Sequence, residues 1–145
     1  MPIGSRFQYK TPEEIEIIRK NCLLVSATLA EVASHIKPGI TGLRLDEIAE
    51  AFIRDHGAEP AFKGYPGSLS DFPASLCISF NEVIVHGIPD KTEVKEGDVV
   101  SVDCGVKMNG YFGDAAFTFA VGQISPEVLD LLVTTRECLD LAIQQ

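Results

Sequence analysis

Asp103 and Asp114 stand eleven positions apart, on either side of Asn109-Gly110, in the segment GDVVSVDCGVKMNGYFGDAAFTF. Asn-Gly between two runs of alternating apolar residues is the strongest short-range hairpin signal. With those two residues as the tight turn, Met108 faces Tyr111, Asp103 faces Ala116 and Gly105 faces Asp114. Side chains alternate across a strand, so the two aspartates become diagonal neighbours on one face, their backbones roughly 7 to 8 Å apart. Converging carboxylates repel unless a proton or a cation lies between them. One carboxylate can also bridge two divalent ions held about 3.5 to 4 Å apart. Metal binding explains the pair economically. The other reading is two solvated aspartates on an exposed sheet face, although Asp is depleted within strands.

The rest of the aspartate face, Ser101, Gly105, Ala116 and Thr118, is small and leaves space above the acids. The opposite face carries Val100, Val102, Cys104, Val106, Tyr111, Ala115, Phe117 and Phe119, which suits a layer of packed helices. His86 lies at a strand end before Gly87-Ile88-Pro89, a position that suits function. His35 and His56 lie near helix C-termini, where positive charge is favourable, and read as structural.

Two helices precede the hairpin. Thr11-Pro12-Glu13-Glu14 gives an N-cap, a first-turn proline and a capping box. Apolar residues follow at Ile15, Ile18, Cys22, Val25, Leu29, Val32 and Ile36 until Pro38-Gly39 stops the run. The next helix spans about Leu43 to His56, with Leu45, Ile48, Ala49, Phe52 and Ile53 on one face and Gly57 as its stop. Gly64 to Ser75 is a Gly-, Pro- and Ser-rich loop of the kind that lines sites. Strands are expected over Leu76 to Val85, Val99 to Val106 and Tyr111 to Val121, with a turn at His86 to Asp90. A last helix opens at Ser125-Pro126-Glu127 and carries Val128, Leu131, Leu132, Leu139 and Ile143. Its opening echoes Thr-Pro-Glu at position 11, which reads either as the start of a second pseudo-repeat or as chance likeness of two helix caps. The fold class expected is α/β (α+β): an antiparallel sheet with helices on one face, in a single domain over 1–145 behind an N-terminal arm at 1–10.

A chain of 145 residues, 46% of them hydrophobic, is long enough to bury a core. Its apolar runs are far shorter than the ~20 residues needed to cross a bilayer. The opening MPIGSRFQYK has no apolar leader, so a cytosolic location is expected. Four scattered cysteines, Cys22, Cys77, Cys104 and Cys138, form no CxxC pair and read as reduced thiols. A net charge of -9 and a pI near 4.7 argue against a direct nucleic-acid surface.

SFNEVIVHGIPD followed by EGDVVSVDCGVKMNGYFGDAAFTF resembles type I methionine aminopeptidases of the pita-bread fold, over nearly the whole chain. The likeness rests on Pro60 to Phe62, on Ser79, Asn81 and Val83 ahead of His86-Gly87-Ile88-Pro89, and on the spacing of the two aspartates. It implies removal of the initiator methionine from nascent chains, with two divalent metal ions (Co, Mn, Fe or Zn) activating a water while a glutamate shuttles its proton. By the same resemblance Asp103 is the bidentate ligand of one metal and Asp114 bridges both. His86 is the side chain that hydrogen-bonds the substrate near the scissile amide, and Phe62, Tyr65 and Cys77 form the methionine pocket. The implied partners are N-terminal methionyl peptides near the ribosome, with no membrane.

Two departures stand out. Ser68 to Asp71 look like extra residues in the pocket loop, and the family's remaining ligands, a histidine and two glutamates, come from a C-terminal half beyond Gln145. The chain alone is therefore expected to be inactive or nearly so, and to associate, as a homodimer or an aggregate. Rival readings are a prolidase or aminopeptidase P, which usually carry His-Tyr where this chain has His86-Gly87, a non-catalytic binding module on the same scaffold, and an inactive fragment.

Overall fold

In a computed structural model that describes residues 9–67 and 70–145, the Asp103/Asp114 hairpin supplies the two longest strands of a four-stranded sheet. β3 (Val99–Met108) and β4 (Tyr111–Ala120) pair antiparallel along their whole length, with Met108 opposite Tyr111, Asp103 opposite Ala116 and Gly105 opposite Asp114. Asn109 (φ 54°) and Gly110 (φ 80°) are both left-handed, as a tight turn of this kind requires. On its other edge β3 pairs antiparallel with β2 (Leu76–Phe80) and with the two-residue β1 (Glu59–Pro60), which the sequence reading did not anticipate.

α1 (Pro12–His35) begins as expected: the Thr11 side chain accepts the Glu14 amide while Glu14 accepts the Thr11 amide. Glu14 also accepts a hydrogen bond from the Tyr111 hydroxyl at 2.6 Å, tying the helix start to the hairpin. The buried stripe differs from the expected one. Asn21, Leu24, Val25, Thr28, Leu29 and Val32 are buried, whereas Ile15 and Cys22 are exposed. The helix is turned so that Asn21 faces the sheet, because its side-chain amide donates to Met108 O at 3.2 Å and to Ile17 O at 3.0 Å. A Cβ at Gly113 would lie 2.6 Å from the Asn21 carbonyl carbon, so α1 reaches β4 only over a glycine.

α2 (Gly42–Asp55) has Thr41 as N-cap, His56 as C-cap and left-handed Gly57 after it. It buries Leu45, Ala49 and Ile53 and, unexpectedly for a polar residue, Asp46. Leu45, Ile53, Val25, Val32, Leu76, Val100, Val102, Cys104 and Val106 form the core between the two helices and one face of the sheet. This confirms the packed face of β3. The β4 half is less covered than expected: Ala115 is exposed and Phe117 keeps 47% of its surface.

Two further expectations change. β2 ends at Phe80 rather than Val85, because Asn81 turns left-handed (φ 51°) and diverts the chain out of the sheet. α3 (Pro126–Ile143), capped by Ser125, has no buried residue at all, so it is not part of the layer on the sheet. His35 and His56 make local contacts to Glu31 and to the Phe52 carbonyl, in keeping with structural roles. Most of the arm at 1–10 and two of the four loop residues singled out, Ser68 and Leu69, lie outside the described residues. No helix among the described residues is long and apolar enough to cross a membrane.

Candidate metal and substrate site

The sheet face away from the helices carries the acidic residues singled out from the sequence. Register places Cys77 of β2 directly opposite Asp103, and Asp114 lies diagonally across on β4. Two loops rise around this face to enclose a cavity of about 500 Å³. The loop after β1 contributes Phe62, Tyr65, Asp71 and Phe72, and the loop after β2 contributes His86 and Ile88. All six residues singled out from sequence, Phe62, Tyr65, Cys77, His86, Asp103 and Asp114, therefore line one cavity. So do Ser70 and Asp71.

Local contacts explain how each wall is held. The first loop is closed by Gly64 N–H donating to Phe72 O at 2.8 Å and Phe72 N–H donating to Tyr65 O at 2.9 Å. Its far end is fixed by buried Asp46, whose Oδ1 accepts the amides of Ser75 (2.9 Å) and Leu76 (2.8 Å) just before Cys77. Phe62 packs over Gly105: a Cβ there would sit 2.5 Å from the ring. This corrects one expectation. The small residue at 105 is the seat of an aromatic wall rather than open space above the acids.

The floor is electrostatically loaded. Burial, and after it the charge of Asp114, holds the Asp103 carboxyl above its ordinary value, with His86 pulling the other way. Asp103 Oδ1 is buried and has no hydrogen-bond partner among the described residues. A buried carboxylate oxygen without a partner, beside a second carboxylate, is what a divalent cation satisfies. The donor chemistry is thus compatible with a metal that Asp103 and Asp114 could hold through oxygen. It is a partial set, since no group of three His, Cys, Asp or Glu able to hold an ion occurs among the described residues. Burial, with the charges of Asp103 and Asp114, pushes the Cys77 thiol up to about 11, so it stays neutral at physiological pH.

Phe72 and Ile88 escaped the sequence reading. Both sit in irregular loops where no periodicity marks an inward side chain. The one available sign was an aromatic residue inside a run of Gly, Pro and Ser.

A sequence profile of metallopeptidase family M24 matches residues 16–145. Methionine aminopeptidase 1 of Bacillus subtilis is 48% identical over 136 residues, which cover 94% of this chain and 53% of that protein. The methionine aminopeptidase of Clostridium perfringens is 47% identical over the same shares. The solved structure of methionine aminopeptidase from Thermotoga maritima superposes with a TM-score of 0.87 at 41% identity, covering 94% of this chain and 53% of that one. The chain spans about half the length of the curated relatives it matches.

Proposed function

The chain belongs to metallopeptidase family M24, and we propose that it supplies the substrate pocket and two metal-binding carboxylates of a methionine aminopeptidase. One observation carries this reading: Asp103, with its partnerless buried oxygen, and Asp114 face the same aromatic-walled cavity as His86 and Cys77. In this reading Asp103 and Asp114 would hold the divalent ions through their carboxylate oxygens. When bound, the ions supply a water of lowered pKa and a polarised peptide carbonyl. Co, Mn, Fe and Zn all accept such donors.

The protein's own groups do the rest. Phe62, Tyr65 and Phe72 wall the space for an unbranched thioether side chain, whose sulfur is favourable against aromatic rings. Cys77, a neutral thiol, adds a soft contact without adding charge to the floor. His86 hydrogen-bonds the substrate beside the scissile amide and orients it toward the carboxylates. The substrate class is N-terminal methionyl peptides of nascent chains, met in the cytosol near the ribosome.

The test is release of methionine from Met-Ala-Ser by the full-length, metal-supplemented protein, set against hydrolysis of Xaa-Pro dipeptides. Methionine release that stops on chelation is expected. Preference for Xaa-Pro would replace this reading with a prolidase. Methionine release indifferent to chelator would remove the metal role of the aspartates.

A further inference from the structure

His86 enters the cavity from a loop, and its backbone is not one a free loop would hold. The chain leaves β2 at Phe80, turns through left-handed Asn81 and returns through left-handed His86 (φ 58°). Val83, Ile84 and Val85 between them are exposed, Ile84 to 87%. Non-glycine residues are uncommon in that region, Asn and His less so than most, and they persist there where their surroundings hold them.

The imposing contacts lie on the C-terminal side of His86. Ile78 N–H donates to Gly87 O at 2.8 Å, and Gly87 N–H donates to Ser79 Oγ at 3.1 Å. A Cβ at position 87 would fall 2.2 Å from Ile78 O, so the main chain is pressed against β2 immediately after His86. Ser79 is buried, with 4% of its surface exposed, and lies on the cavity face of β2 opposite Ser101 and two residues from Cys77. Its hydroxyl is the one side-chain group that fixes this end of the loop among the described residues.

We propose that Ser79 is a positioning residue for His86: by accepting the Gly87 amide, its hydroxyl holds His86 in the left-handed conformation that directs the imidazole into the cavity. The inference rests on the role proposed for His86 above. Alanine at 79 keeps the strand but removes the acceptor, leaving the Gly87 amide without a partner and the His86 backbone free to relax. Displacement of about 1 Å in a substrate-orienting group can cost about 100-fold in rate.

The experiment uses the full-length, metal-supplemented protein with a methionyl tripeptide, and reads kcat and KM alongside amide hydrogen exchange. Ser79→Ala is expected to lower kcat by about 10- to 100-fold with KM changed less than about 3-fold, and to speed exchange at Gly87 while the β2–β3 amides stay protected. Ser79→Thr, which retains the oxygen, should recover most of the rate. Ser79→Ala combined with His86→Ala should be no slower than His86→Ala alone, because both remove one function. Ile84→Ser, in the exposed middle of the loop, should change neither readout. Additive losses in the double variant, a Ser79→Ala protein with unchanged kcat, or an Ile84→Ser protein as slow as Ser79→Ala would each overturn the role of Ser79. A His86→Ala protein with normal turnover would instead overturn the role of His86 and the inference built on it.

Discussion

At the scale of single residues, the polar groups that matter are the ones burial makes expensive. Asp103→Asn and Asp114→Asn would each remove a charged oxygen from the proposed metal site, and in the full-length protein each should lose bound metal and at least about 100-fold in methionine release. Metal content and turnover measured together check this, and normal values for both in either variant would end the ligand assignment. Asp46 poses a different case, since it lies outside the cavity lining and accepts two amides. Burial raises its pKa above the ordinary value of 3.8, against the opposing pull of the Leu76 and Ser75 amides. The folded state therefore favours the protonated form more than the unfolded state does. That contribution is full below the unfolded pKa and is lost as pH rises through the folded one. Asp46→Asn keeps an Oδ1 acceptor without the charge, so its stability relative to the parent should grow as pH is raised above about 4. Asp46→Ala leaves two buried amides unpaired and should cost about 3 kcal/mol. Urea unfolding of the three proteins at pH 4 and pH 7 separates the cases. An Asn variant as damaged as the Ala variant would mean that the charge itself is required.

At the scale of elements, the hairpin was legible because a two-residue Asn-Gly turn fixes register, and register alone puts Asp103, Asp114 and the small residues on one face. The stripe of α1 was less so. Periodicity named a run through Ile15 and Cys22, yet the helix is turned toward Asn21, whose side-chain amide seeks the Met108 carbonyl. Hydrophobicity cannot reveal such a contact, because an interior polar residue looks like a surface one until its partner is known. Burial of Asp46 was hidden for the same reason. β2 was overextended because Val83, Ile84 and Val85 favour strands by composition, while the left-handed turn at Asn81 takes them out of the sheet. The cavity walls at Phe72 and Ile88 follow no period at all. Gly113 marks where the α1–β4 contact is tightest: a Cβ there meets backbone atoms of Asn21 and Cys22 at 2.6 to 2.9 Å. Backbone cannot step aside as a side-chain tip can. Gly113→Ala should therefore cost about 1 to 3 kcal/mol, whereas Gly110→Ala meets open space and pays mainly for its positive φ. Thermal melts of the two variants compare steric crowding with conformational strain, and an unperturbed Gly113→Ala protein would show that α1 is free to move away.

At the scale of the whole molecule, the 145-residue chain joins a finished core to surfaces that a finished core does not cover. The core residues of α1, α2 and β3 are closed to solvent, but Phe117 and Phe119 form an apolar groove with Leu29, Ala30 and Ala33 of α1. α3 leaves Leu129, Leu131, Leu139, Leu141 and Ile143 exposed along its length. Exposed apolar surface of this kind favours association in water. The proposed metal face is unfinished in a parallel sense, since two carboxylates with no third donor among the described residues make a weak site. The purified 145-residue chain is accordingly expected to run larger than a monomer in light scattering, to release metal on dialysis and to cleave methionyl peptides negligibly. The two shortfalls are separable. Leu131→Lys with Leu139→Lys should shift the chain toward monomer without restoring metal retention, because α3 contributes no residue to the cavity. A parent chain that stays monomeric at high concentration would show that α3 and the groove satisfy each other within one molecule. A monomer that keeps its metal through dialysis and turns over substrate would show that Asp103, Asp114 and His86 suffice for the chemistry.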